Sequence, residues 1–145
     1  MHRSVVAALA AVFVLAAPAP VFASSIELRE NLPLDCPDAA NKFEAEMCLA
    51  DLLSRHDRRL NDTYRIAMRN ARAFDTEFGI PVPAASSLRT AQRLWIGYRD
   101  AACQAETAPM VLGGGGFLRA ERTCLIRYTD ARTRDLERLL DALPQ

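Results

Sequence analysis

The 145-residue sequence has one lysine, Lys42, one tryptophan, Trp95, and two histidines, and its 18 basic and 18 acidic residues cancel. Each shortage narrows the range of functions. Nucleic-acid binders gather a basic excess on one face, whereas here arginine is interleaved with Asp and Glu along every predicted helix, so no nucleic-acid partner is expected. Gly113 to Gly116 lack the Lys-Ser or Lys-Thr that completes a phosphate-binding loop, and no cofactor motif occurs elsewhere. No segment alternates strictly between apolar and polar residues, as a half-buried strand would. No two of the acids stand out in an apolar setting that would split their proton affinities for acid–base work, and no enzyme is expected.

Long apolar runs are equally scarce. The N-terminus alone has one: Arg3 precedes an apolar stretch from Val5 to Ala17, and Val21-Phe22-Ala23 suits signal peptidase, so residues 1–23 read as a signal peptide. The run is shorter than the roughly 20 residues that a membrane span needs. The mature chain is therefore expected in the periplasm or secreted, without a membrane span. No cysteine lies at the cleavage point, so no lipid anchor is expected. Loss of Arg3 with the leader changes 18 bases against 18 acids to 17 against 18.

An exported chain with four cysteines, Cys36, Cys48, Cys103 and Cys124, is expected to hold two disulfides. Oxidation rules out a Cys–His nucleophile. It also rules out zinc held by Cys48, His56 and Cys103, and no metal is expected.

Residues 24–40 show no period and contain Pro33 and Pro37, which predicts an irregular arm. Asn41 and Glu44 have capping-box spacing, so a helix should start there. Leu53, Leu60, Ala67 and Phe74 recur every seven residues, with Tyr64, Ala71 and Phe78 as a second file, up to the stop at Gly79, Pro81 and Pro83. Such a helix is roughly 55 Å long, enough to predict a bend. Ser86 and Ser87 offer N-caps to a second helix ending near Thr107 and Pro109. Its apolar face is Leu88, Ala91, Trp95, Tyr98, Ala102 and Ala105, with Gln92, Arg99 and Cys103 as a polar stripe at the edge. Beyond the glycines, Leu118, Leu125, Thr129, Arg132, Leu136, Leu139 and Leu143 line a third helix that Pro144 ends.

Folding the chain back at the glycines brings Cys103 and Cys124 within about one helical turn of the same level, so these two should pair and Cys36 should join Cys48. The fold class is all-α: a small antiparallel three-helix bundle, a helical hairpin plus a third helix, with two disulfides. Its helical domain spans residues 41–145.

Three motifs give a family resemblance. Asp57, Leu60, Asn61 and Tyr64 form the first; Gln92, Trp95, Arg99, Asp100 and Cys103 the second; Cys124, Thr129, Arg132 and Leu136 the third. In this order they resemble the lysozyme inhibitor LprI-like domain. The resemblance implies an exported bacterial helical protein that binds a protein partner such as lysozyme by occluding its active-site cleft. The alternative is an envelope-maintenance protein that binds another periplasmic component.

The family often has a Gly-Ser turn before its last cysteine, and here Gly113 to Gly116 and Phe117 replace it. Candidate inserts for a cleft are that glycine turn, with Phe117 and Arg119, and residues 79–87. The polar motif residues read as a structural network in which Asn61 and Arg99 satisfy one another or helix carbonyls and fix helix register, with a binding site on that face as the alternative. Asn61-Asp62-Thr63 also fits a glycosylation acceptor, but its place inside a helix speaks against that use.

Overall fold

A computed structural model describes residues 34–79, 81–111 and 116–142. The expected signal peptide, most of the expected arm, Gly113 to Gly115, Leu143 and Pro144 lie outside the described residues. The rest forms three helices, α1 (Lys42–Phe78), α2 (Ala84–Val111) and α3 (Phe117–Ala142), and no strand occurs among the described residues. The chain runs up, down and up. α1 and α3 are parallel and share the most extensive interface, and α2 runs antiparallel to both.

The capping box at the start of α1 forms as its spacing predicts. The Asn41 side chain accepts the Glu44 N–H at 3.0 Å, and the Glu44 carboxylate reaches back to the Ala40 N–H at 3.0 Å. Helix α1 then continues unbroken for 37 residues. No glycine or proline lies between Lys42 and Phe78, so nothing interrupts its hydrogen-bond ladder. It ends at Gly79, whose φ of 56° is the left-handed conformation that glycine adopts without steric cost, and the Gly79 N–H donates to the Asp75 carbonyl.

The start of α2 differs from the expectation. Ser86 and Ser87 lie inside the first turn and donate to the Pro83 carbonyl. The cap comes from α1: Asp75 accepts the Ala84 N–H at 2.6 Å and the Ala85 N–H at 3.0 Å, one on each carboxylate oxygen. A carboxylate satisfying two orphan donors at the positive end of a helix both caps α2 and fixes the hairpin angle. At its other end α2 runs through Pro109 to Val111.

The interior has two apolar regions. Leu49, Leu52 and Ile126 pack around the Cys36–Cys48 disulfide; Leu60, Ala67, Met68, Ala71, Leu88 and Leu136 form the other, with Tyr64 and Trp95 against it. His56, Thr129 and Thr133 separate them as a buried polar layer. Both expected disulfides form, with Cα–Cα distances of 6.2 Å for Cys36–Cys48 and 5.7 Å for Cys103–Cys124.

Side-chain placement corrects several of the predicted faces. The buried line of α1 is Ala45, Leu49, Leu52, His56, Leu60, Thr63, Ala67 and Ala71, while Phe78 is 51% exposed and leans on Phe74. In α3, Ile126 is fully buried and Leu118 is exposed. The largest change is in α2. Ala91, Tyr98 and Ala105 face outward, and the stripe of Gln92, Arg99 and Cys103 turns inward. Polar side chains can occupy a seam when their partners lie across it, and α1 and α3 supply those partners.

Candidate functional site

Arg99 is the centre of the motif residues. Its side chain is 16% exposed and touches all three helices. The Nη1 group donates to Thr129 Oγ1 on α3 at 3.2 Å and to Asp57 Oδ1 on α1 at 3.4 Å, and Nε donates to Asp100 Oδ1 at 2.9 Å. The guanidinium also lies 5.2 Å from the Trp95 ring centroid, in cation–π range. One turn away, Arg132 Nε donates to Gln92 Oε1 at 3.1 Å, tying α3 to α2.

Asp57, Trp95, Asp100 and Thr129 thus meet around Arg99, and Gln92 pairs with Arg132 as a separate tie between α2 and α3, while Leu60 and Tyr64 belong to the apolar region. Asn61 does not join. It lies on the exposed side of α1, four residues beyond Asp57, and its expected pairing with Arg99 is replaced by Asp57, Asp100 and Thr129.

Sequence reasoning missed a second buried pair. His56 is 1% exposed, and its Nδ1 lies 3.8 Å from Oδ1 of Asp130, which also pairs with Arg134. The available signal was position: His56 falls four residues after Leu52 and four before Leu60, in the middle of the buried line. The arrangement holds three helices in register: Arg99 pairs with Asp57 and Asp100, whereas Arg132 meets the neutral Gln92 amide and its buried Nη2 has no hydrogen-bond partner among the described residues.

Two surface features complete the survey. Tyr98 and Tyr128 meet edge-on with centroids 5.7 Å apart, beside Arg127 and Glu106, which pair at 2.6 Å next to the Cys103–Cys124 bridge. Tyr98 holds the Tyr128 hydroxyl above the usual phenol range, first through the hydrogen bond between them and then through charge repulsion, against the opposing pull of Arg127. Between the N-terminal ends of α1 and α3, Lys42, Glu46, Gly116 and Arg119 line a shallow cavity of about 390 Å³.

Comparison with known proteins bears on the whole of this framework. A family model described as lysozyme inhibitor LprI matches residues 36–136. An uncharacterized protein of Rhizobium meliloti (strain 1021) is 30% identical over 120 residues, covering 74% of this chain and 80% of the relative. No solved structure matches.

Proposed function

The chain belongs to the lysozyme inhibitor LprI family, and on that premise we propose that it is an exported binding protein that inhibits lysozyme by occluding the active-site cleft. Residues 1–23 act as the signal peptide, and residues 41–145 form the helical domain. Protein binding, without catalysis, is the activity. The observation that carries the reading is the family match itself, which spans all three helices and both disulfides.

The geometry supports one of the two candidate inserts over the other. At the tip of the α1–α2 hairpin, Val82 is 70% exposed between Pro81 and Pro83, and Phe78, the last residue of α1, is half exposed. The Asp75 cap fixes the chain on the α2 side of this turn. A turn held by two prolines and a carboxylate clamp loses less freedom on binding than a run of four glycines does. An apolar tip suits a polysaccharide cleft, whose sugar-binding walls stack on aliphatic and aromatic groups.

The test is a cell-wall lysis assay with the purified protein in micromolar excess over lysozyme, paired with a pull-down. Inhibition that Val82→Asp abolishes, with helicity unchanged, is the expected result. Undiminished lysis with no complex formed rules the reading out. The near-neutral charge gives little electrostatic attraction to a cationic partner. That observation favours the second reading, an envelope protein with another periplasmic partner, if the assay is negative.

A further inference from the structure

One helix face is unlike the rest of the surface. Along the outer side of α2, Ala91, Leu94, Tyr98, Ala101, Ala105 and Ala108 are all exposed, Leu94 at 70% and Tyr98 at 61%. A quarter of the chain is charged, yet none of these six residues is. The outer sides of the other helices carry Arg55, Asp62 and Arg69 on α1 and Arg134, Asp135 and Arg138 on α3. Their spacing is three, four, three, four and three, the coiled-coil repeat that keeps a seam on one side of a supercoiled helix pair. The seam is about 26 Å long. Within the monomer Tyr98 alone of these six has a side-chain contact to another helix among the described residues, its ring edge meeting Tyr128 on α3 while 61% of the residue stays exposed; Gln92, Arg99 and Cys103 make the other contacts to α1 and α3.

The order of side-chain sizes along the seam says what fits it. When the seam is laid against a second copy of itself running the opposite way, with Tyr98 across from the partner's Ala101, Leu94 meets the partner's Ala105 and Ala91 meets the partner's Ala108. Each bulky group then faces an alanine, and the two-fold axis repeats the contact on the other side. Small residues opposite large ones let two helices approach closely and interdigitate. Gly97, at the margin of the seam, has open space where a side chain would stand, so the backbones can come together there. A self-complementary patch of this kind is what an isologous two-fold contact requires.

We infer that the outer face of α2 is a homodimer interface, in which two copies pack antiparallel through Leu94, Tyr98 and the alanines between and beyond them. The contact leaves the hairpin tip at Val82 free, so dimer formation is separate from the inhibition proposed above and fails or holds independently of it.

The experiment is sedimentation equilibrium of the purified exported protein over concentrations up to about 0.5 mM, near the weak limit of specific association. A monomer–dimer equilibrium is expected. Ala101→Glu should raise the dissociation constant by at least ~100-fold, because two carboxylates are desolvated and brought together in each dimer. Ala73→Glu, the same change at an exposed site on α1, should leave it unaltered. Circular dichroism checks that both variants keep their helices.

Register is read by oxidising a mixture of Leu94→Cys and Ala105→Cys proteins. A disulfide linking the two variants is expected. A monomer at every concentration, an equal response to Ala73→Glu, or a Leu94→Cys protein that cross-links to itself each overturns the inference.

Discussion

Replacing Arg99 with alanine tests the central role assigned to it. The hydrogen bond to Thr129, whose side chain is fully buried, is charge-assisted and worth about 1.5–3 kcal/mol. The stack on Trp95 adds about 0.5–1 kcal/mol. The ion pair with Asp57 is long, and the Asp57 side chain is 43% exposed, so solvent screening holds it below about 1 kcal/mol. Arg99→Ala should therefore cost about 3 kcal/mol, and a domain of this size should lose roughly 10–20 °C in Tm.

Urea unfolding under non-reducing conditions, followed by the fluorescence of the single tryptophan that Arg99 covers, measures the loss directly. Double-mutant cycles then rank the partners. Coupling between Arg99 and Thr129, probed with Thr129→Val, should be about 1 kcal/mol, and coupling with Asp57 should be under about 0.5 kcal/mol. A variant within 0.5 kcal/mol of the wild type, or a stronger coupling to Asp57 than to Thr129, would refute the assignment of the buried hydroxyl as the principal partner.

Two further outcomes follow from the geometry. Asp75→Ala removes the only side chain that caps α2 among the described residues and should destabilise the protein by about 1–2 kcal/mol, with amide exchange accelerated first at residues 84–88; Asp75→Asn should recover part of the loss. In an alkaline titration followed by tyrosinate absorbance, Tyr128 should ionise above its ordinary 10.0, and Tyr98→Phe should move it back toward that value, since the hydrogen bond from Tyr98 is the largest cause of the shift. Identical titrations of the two proteins would show that the tyrosine pair does not act in this way.

Much of the architecture is written in local signals. Asn41 with Glu44 marks a helix start that depends only on residues three apart, and Gly79 marks a stop that depends on one residue's freedom at positive φ. The pairing of Cys103 with Cys124 follows from helix rise alone. What was not legible depends on partners distant in sequence. The cap on α2 comes from Asp75, and the inward turn of Gln92 and Arg99 makes sense only when Arg132, Thr129 and Asp57 are already across from them.

Apolar periodicity therefore assigned the core side of α2 only in part: Leu88 and Trp95 pack inward as it predicts, whereas Ala91, Tyr98 and Ala105 face outward. The motif residues were identified as a set, and seven of them meet around Arg99, itself among them, or on the adjoining Gln92–Arg132 bond. Asn61 shows the limit of that approach: shared membership of a motif did not place it in the shared contact.

Both disulfides lie toward the same end of the bundle, with Cys48 in the second turn of α1, Cys124 in the second turn of α3 and Cys103 near the far end of α2. Opening therefore has a direction. Thermal fluctuation at the cross-linked end is confined by disulfide tethers, whereas at the opposite end only the chain's own turn joins α1 to α2, and noncovalent packing and one acidic side chain supply the remaining restraint. The helices can splay there like staves bound by hoops at one rim, and deuterium should enter the backbone earliest around residues 70–90 and latest beside the cystines.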